Sequence, residues 1–368
     1  MKIILIFLFF SIHFVDAQNR IGIYKLNNLD NLLTNELKTR LNEEIKNKDV
    51  IFLGESEHHM GSEFIAKTEF VKYLVLEHNF TEIAFEADFF ALHQTNSKNN
   101  IFPHWSKSIQ CQDLFDFLNK HKVTIWGFDN QFSSAYSFQN FTPLLINFLD
   151  SKKINYTNNF EVLINVFMTS QSKKSKDELL QEIENIILQL EGENTFWTQA
   201  LKSFKSLVKQ ESVSRKSDAY KIRDFQMADN LNFLTTSLKN KKVIVWAANV
   251  HSSKINIPEM NYKIMGYEYL KITNRNTYHI AFSPIKMPYR KMSYIEKQHK
   301  DKFNMLYFLP NTTENYFIDS KQIIEEDINQ LNILYEGMFG MRIKKTNYFK
   351  HFDALVFIAE GEKSILAH

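Results

Sequence analysis

Four polar strings in this chain contain residues able to move protons, and each follows directly on a short apolar run. The run at 50–53 leads into Gly54-Glu55-Ser56-Glu57-His58-His59, and that at 83–85 into Glu86-Ala87-Asp88. The run at 123–126 leads into Gly127-Phe128-Asp129-Asn130, and that at 243–246 into Ala247-Ala248-Asn249-Val250-His251. Imidazole titrates close to working pH, which suits it to general acid–base chemistry, and a neighbouring carboxylate can fix its tautomer. Glu55, His58, Glu86 and His251 are therefore the catalytic candidates. Each also has a plainer reading taken singly. Glu55 and His58 could cap the helix that follows, because a helix N-terminus favours carboxylates. Glu86 could pair with a lysine, and His251 could be a satisfied loop histidine. What favours chemistry is the coincidence of four.

The elements that must position these groups follow from the runs themselves. They are β-branched and aromatic without alternation, as expected of strands buried on both faces. Further runs lie at 354–358 and, more weakly, at 278–282. Residues 62–78 place Phe64, Ile65, Val71, Leu74 and Val75 at helical spacing, with Asn79 as a stop. Strand, helix and strand in that order predict a βαβ unit. The fold class is α/β, with a mainly parallel central sheet flanked by helices. In such sheets the ligand crevice lies beyond the carboxyl ends of the strands, where all four strings would meet. Residues from about 138 to 240 show no strand pattern but strong helical periodicity (Leu179, Leu180, Ile183, Ile186, Ile187, Leu190), predicting a helical insertion or cap. Strands resume after it, so 18–368 reads as one domain.

Composition narrows the function. The 44 basic residues against 42 acidic leave a formal charge of +2, which does not suit a nucleic-acid partner. Nine glycines form no phosphate-cradling string, and the single Cys111 reads as a buried small hydrophobe. No G-x-S-x-G elbow marks a serine nucleophile. Met1-Lys2, the apolar stretch at 3–15 and Val15-Asp16-Ala17 predict a signal peptide at 1–17. The expectation is an exported protein, periplasmic or extracellular, with no later membrane span. The helix expected after Ser217 repeats Arg223, Gln226 and Asn230 along one side, where Arg223 could hold an anion or carbonyl oxygen.

Taken in order, these strings resemble the erythromycin esterase family. The similarity is carried by G-E-x-x-H at Gly54 to His58, F-E at Phe85-Glu86, and G-F-D at Gly127 to Asp129. It continues through R-D-x-x-M-A-x-N at Arg223 to Asn230, W-A-x-N-x-H at Trp246 to His251, Met265-Gly266 and Phe352-Asp353-Ala354. The resemblance implies an α/β enzyme hydrolysing an ester or lactone, macrolides in the best-known members, without a required metal. It implies His58 as general base on water, Glu55 and Glu86 as its acidic company, and His251 as a second imidazole. Lys67, Arg223, Asp129 and Asn249 are the candidate substrate-binding or oxyanion residues, although pattern alone reads Asp129 and Asn249 as turn or supporting groups. Two departures bear on macrolides. Ala248 stands where the resistance enzymes carry a histidine, and Lys67 where they carry arginine, which lysine does not replace as a bidentate donor.

The expected partner is a small-molecule ester or lactone, and no cofactor is called for. Two other readings use the same residues. Glu55, His58, Glu86 and His251 could hold a divalent metal that activates the water. Alternatively, the crevice could bind a ligand without turnover, as in a degenerate member of the family.

Overall fold

Strands β1 (Ile23–Lys25), β2 (Val50–Glu55), β3 (Phe80–Asp88), β4 (Thr124–Asp129), β5 (Lys242–Ala248), β6 (Thr277–Lys286), β7 (Tyr316–Asp319) and β8 (Ala354–Glu360) form a single sheet. Their order is β1-β7-β8-β6-β2-β5-β3-β4. The computed structural model describes residues 20–367 except 171–174, 193–194, 339 and 342–343, so the leader expected at 1–17 lies outside it. Strand β7 runs against both of its neighbours, and the other pairings are parallel. The α/β class with a mainly parallel sheet is what the sequence predicts.

Burial on both faces explains the unbroken apolar runs. Val50 and Phe52 of β2 pack with Met227 and Leu231 on one face, whereas Ile51 and Leu53 pack with Phe64 and Val71 on the other. The weak run at 278–282 falls in the first half of β6, which lies directly beside β2. The short strands β1 and β7, at one side of the sheet, have no counterpart in the sequence reading. The helix Gly61–His78 ends at Asn79 in the left-handed conformation, matching the expected stop.

Between β4 and β5 the described residues hold the helices Ala135–Lys152, Phe160–Ser170, Lys176–Gln189, Phe196–Gln210 and Lys216–Ser237, with no strand. Most of this region closes around its own apolar cluster, in which Phe90, Phe132, Phe141 and Phe204 meet. The helix Lys216–Ser237 differs. Its Met227, Ala228, Leu231 and Leu234 lie directly on the sheet, so it belongs to the layer that supports the site as much as to the cap.

Two close approaches fix the carboxyl edge. A Cβ on Gly54 would collide with Asn249, and one on Gly127 would come within 2.6 Å of the carbonyl oxygens of Ala87 and Asp88. Beyond β8 the chain returns across this edge. Lys363 bridges Met60, the Ser364 amide donates to the His59 carbonyl at 2.8 Å, and the Ile365 amide donates to the Gln110 side chain at 3.0 Å.

Candidate active site

Strand β2 delivers Glu55 fully buried at its last position, and the following turn brings His58 out to the edge with 37% of its side chain exposed. Three donors surround the Glu55 carboxylate. His58 Nδ1 is 3.0 Å from Oε1, Trp105 Nε1–H donates to the same oxygen at 2.9 Å, and the Lys67 ammonium holds Oε2. A carboxylate so engaged can only accept, so His58 carries its proton on Nδ1 and leaves Nε2 without a hydrogen-bond partner among the described residues. The ring is wedged between His104, 4.9 Å away, and the edge of Trp105 at 5.2 Å. Burial works against the imidazolium, but the hydrogen bond to Glu55 and the field of Glu86 outweigh it, raising the His58 pKa above the ordinary 6.5.

The turn itself is tied from behind. The Ser56 amide and hydroxyl both donate to Glu63, at 2.7 and 2.6 Å, from the first turn of the Gly61–His78 helix. Burial pushes the Glu63 carboxyl well above its usual range despite those two donors.

A second imidazole lies under the edge. His251 Nδ1 is 2.6 Å from Asp224 Oδ1, and its Nε2 is 3.4 Å from Glu86 Oε1, with the side chain only 6% exposed. Burial lowers the His251 pKa, yet Asp224 and Glu86 together raise it, favouring the imidazolium. In that state Nε2–H points to Glu86, and the 3.4 Å approach of Arg223 Nη1 is a contact between two donors. Arg223 forks onto Asp129 through Nε at 3.1 Å and Nη2 at 2.7 Å, while Nη2 also reaches Glu86 at 2.7 Å. The Ala248 amide adds a donor to Glu86 Oε2 at 3.1 Å. Burial opposes the Glu86 charge, but His251, Arg223 and His58 hold its pKa far below the ordinary carboxylate range.

Glu55 is paired with Ala248 across β2 and β5, and the Ala248 amide donates to Glu86, so the two halves share one rim. Residues from β2, β3, β4, β5 and the Lys216–Ser237 helix therefore meet where the strings predicted. Three of the candidates lie in the interior. Lys67 is fully buried, with its ammonium against Glu55 and 3.8 Å from the Trp246 ring centre, so it faces the core instead of an oxyanion. Asn249 is buried and donates to the Phe282 carbonyl at 2.7 Å. Asp129 is buried beneath Arg223. These three support the site from below, and of the four candidates for ligand contact Arg223 alone retains some exposure, at 12%. Sequence reasoning missed Asp224 and Trp105. Asp224 stood in the quoted R-D pair, whereas nothing in its surroundings marked Trp105.

Among the described residues no group of three His, Cys, Asp or Glu side chains is arranged to hold a metal ion. Glu55 and Glu86 are engaged by Lys67 and Arg223.

The erythromycin esterase family model matches residues 75–360. The chain belongs to that family. The matched segment begins downstream of the His58 turn, whose place in the site rests on the geometry above. A putative hydrolase, YbfO, of Bacillus subtilis (strain 168) is 24% identical over 263 residues, covering 58% of this chain and 58% of that protein. The chain thus matches less than two thirds of that relative. A Bacillus cereus protein of solved structure superposes with a TM-score of 0.75 at 19% identity, over 95% of this chain and 97% of that one. A succinoglycan biosynthesis protein gives 0.72 at 16% identity, over 94% and 96%. A mutant of the erythromycin esterase EreC in its open conformation gives 0.65 at 13% identity, over 94% and 99%. At such identities these structures show a shared fold. Family and relative together support a hydrolase.

Proposed function

We propose that this protein hydrolyses an ester or lactone with water activated by His58, and that it needs no metal to do so. The observation that carries the reading is the His58–Glu55 pair. One imidazole nitrogen is fixed on a carboxylate, the other has no hydrogen-bond partner among the described residues, and the side chain is partly exposed beside an otherwise buried ionic cluster. His58 Nε2 takes a proton from water, and the resulting hydroxide attacks the carbonyl carbon. The tetrahedral oxyanion forms near Arg223, the cation closest to solvent in the cluster. Collapse of the intermediate expels the alkoxide, which recovers the proton from the His58 imidazolium and leaves a carboxylic acid. Glu55 stabilises that imidazolium between the two transfers. An oxyanion donor of this kind contributes about 10²–10³ in rate.

Ala248 and Lys67 bear on the substrate. The backbone of Ala248 fills a hydrogen-bonding position on Glu86, but its side chain supplies no imidazole to the rim. The reading is therefore of a hydrolase whose substrate is an ester or lactone other than the large macrolides. Export past the membrane is part of the same proposal and would place it among external substrates. The deciding experiment incubates the protein from Gln18 onward with a panel of esters, lactones and macrolides, before and after exhaustive chelation. Turnover of a panel member that survives metal removal is expected. Turnover that vanishes with the metal and returns on adding it back would overturn the water-activation scheme.

A further inference from the structure

Between β6 and β7 the chain makes an excursion, residues 287–308, whose surface differs from the rest of the molecule. Met287, Ile295, Met305 and Leu306 anchor it, each at most 2% exposed. Over that footing it presents Tyr289, Met292, Tyr294, Phe303 and Tyr307, which are 39–63% exposed. Burial would stabilise such side chains, and a monomer seldom leaves several of them together in water. The same segment carries Arg290, Lys291, Lys297, Lys300 and Lys302 against Glu296 and Asp301. Its excess of positive charge is larger than the +2 of the whole chain.

Aromatic and basic groups are interleaved in space as well as in sequence. The Arg290 guanidinium lies 5.5 Å from the Tyr294 ring centre, and the Lys302 ammonium 5.1 Å from that of Phe303. Arg20 lies 4.7 Å from the Tyr307 ring centre. No carboxylate forms a salt bridge with Lys291, Lys297, Lys300 or Lys302 among the described residues. Three of the five exposed rings and chains are tyrosines, apolar in body and polar at the tip, the kind of side chain that settles at a water–lipid boundary.

We propose that this excursion docks the protein reversibly on an anionic lipid surface. Lysines and arginines would approach the headgroups while Tyr289, Met292, Tyr294 and Phe303 enter the interfacial layer. The helix Met292–His299 buries only Ile295 and exposes Met292 and Tyr294, leaving most of its length available to a yielding planar layer. The association is peripheral, since no helix among the described residues is long and apolar enough to cross a membrane. The excursion leaves from the end of β6, which runs parallel to β2, and so from the same sheet edge as Glu55 and His58. Docking does not depend on the proposed hydrolysis.

The test is co-sedimentation of the chain from Gln18 onward with vesicles of phosphatidylcholine, with and without one quarter phosphatidylglycerol, at physiological salt. Binding to the anionic vesicles and little to the neutral ones is expected. A charge-reversed variant (Lys291→Glu, Lys297→Glu, Lys300→Glu) should bind at least about a hundredfold more weakly, from roughly fivefold per charge near the surface. A variant with Tyr289→Ser, Tyr294→Ser and Phe303→Ser should also lose binding, with thermal melting confirming that both variants fold. Tyr294→Trp should show a blue-shifted emission on anionic vesicles. Equal binding to both vesicle types, or anionic binding unchanged in the aromatic variant, would overturn the proposal. So would equal retention of wild-type and aromatic variant by a soluble polyanion together with no vesicle binding, which would mark the patch as a polyanion site.

Discussion

Two histidines, each paired with a carboxylate, sit at the same sheet edge and are prepared for different tasks. His58 has one partner, Glu55, and a nitrogen left over. His251 lies between Asp224 and Glu86, with Arg223 beside it and almost no exposure. Both imidazoles are drawn toward the charged form, but for His251 that charge is part of a buried balance of two cations against Glu86, Asp129 and Asp224. Changing its protonation would leave carboxylates uncompensated in a poorly solvated place. His58 can gain and lose a proton at far smaller cost. The difference teaches that an imidazole–carboxylate pair is not by itself an acid–base catalyst, and that what is left unbonded decides.

The comparison can be broken most directly by exchanging losses. His58→Ala should lower turnover by about 10²–10⁴, the usual contribution of a general base, while the thermal midpoint stays close to wild type. Residual turnover at the parental rate would transfer the base role elsewhere. Arg223→Met should cost stability as well as turnover, because it removes the oxyanion donor and leaves Glu86 and Asp129 buried without that cation. A destabilisation of about 3–5 kcal/mol in chemical denaturation is expected, and an unchanged midpoint would show that the cluster is more hydrated than its burial indicates.

A finer test uses pH. Because the His58 pKa is raised, a base acting through its neutral form should gain activity as pH rises through a value above 6.5. Glu55→Gln removes both the charged acceptor and its field, so the acidic limb of the profile should move downward while the rate falls by about tenfold. A limb that stays in place would mean that another group controls it. The smallest effect concerns the returning C-terminal segment. Ser364→Pro deletes the amide that donates to the His59 carbonyl, costing about 1 kcal/mol by the ordinary net value of such a bond. Turnover should fall several-fold through loosening of the His58 turn, with little change in the pH profile.

Much of this arrangement was legible because a parallel sheet buries its strands twice over. Runs such as 50–53 and 243–246 then stand out, and the residue after each run must lie at the carboxyl edge. That rule gathered Glu55, His58, Glu86 and His251 without side-chain detail. It could not say which way a side chain turns. The Gly61–His78 helix is buried on most sides, so no amphipathic stripe reveals that Lys67 points inward to Glu55. Asp224 is next to Arg223 on a helix and reads as one more polar position, although a step of one residue turns it to meet His251. Strands β1 and β7, of three and four residues, are too short to give a period. Trp105 reaches Glu55 from a four-residue helix in an irregular stretch, where spacing carries no information.

The bond between Ser364 and the His59 carbonyl, and that between Glu362 and Ser62 across 300 positions, link the turn that bears His58 to a part of the polypeptide made very much later. A ribosome that has released only the first half of this chain holds every atom of Glu55 and His58 and still lacks the clasp that sets them. Catalytic competence should therefore appear only once the segment around Glu362 and Ser364 has been made and has closed on this turn.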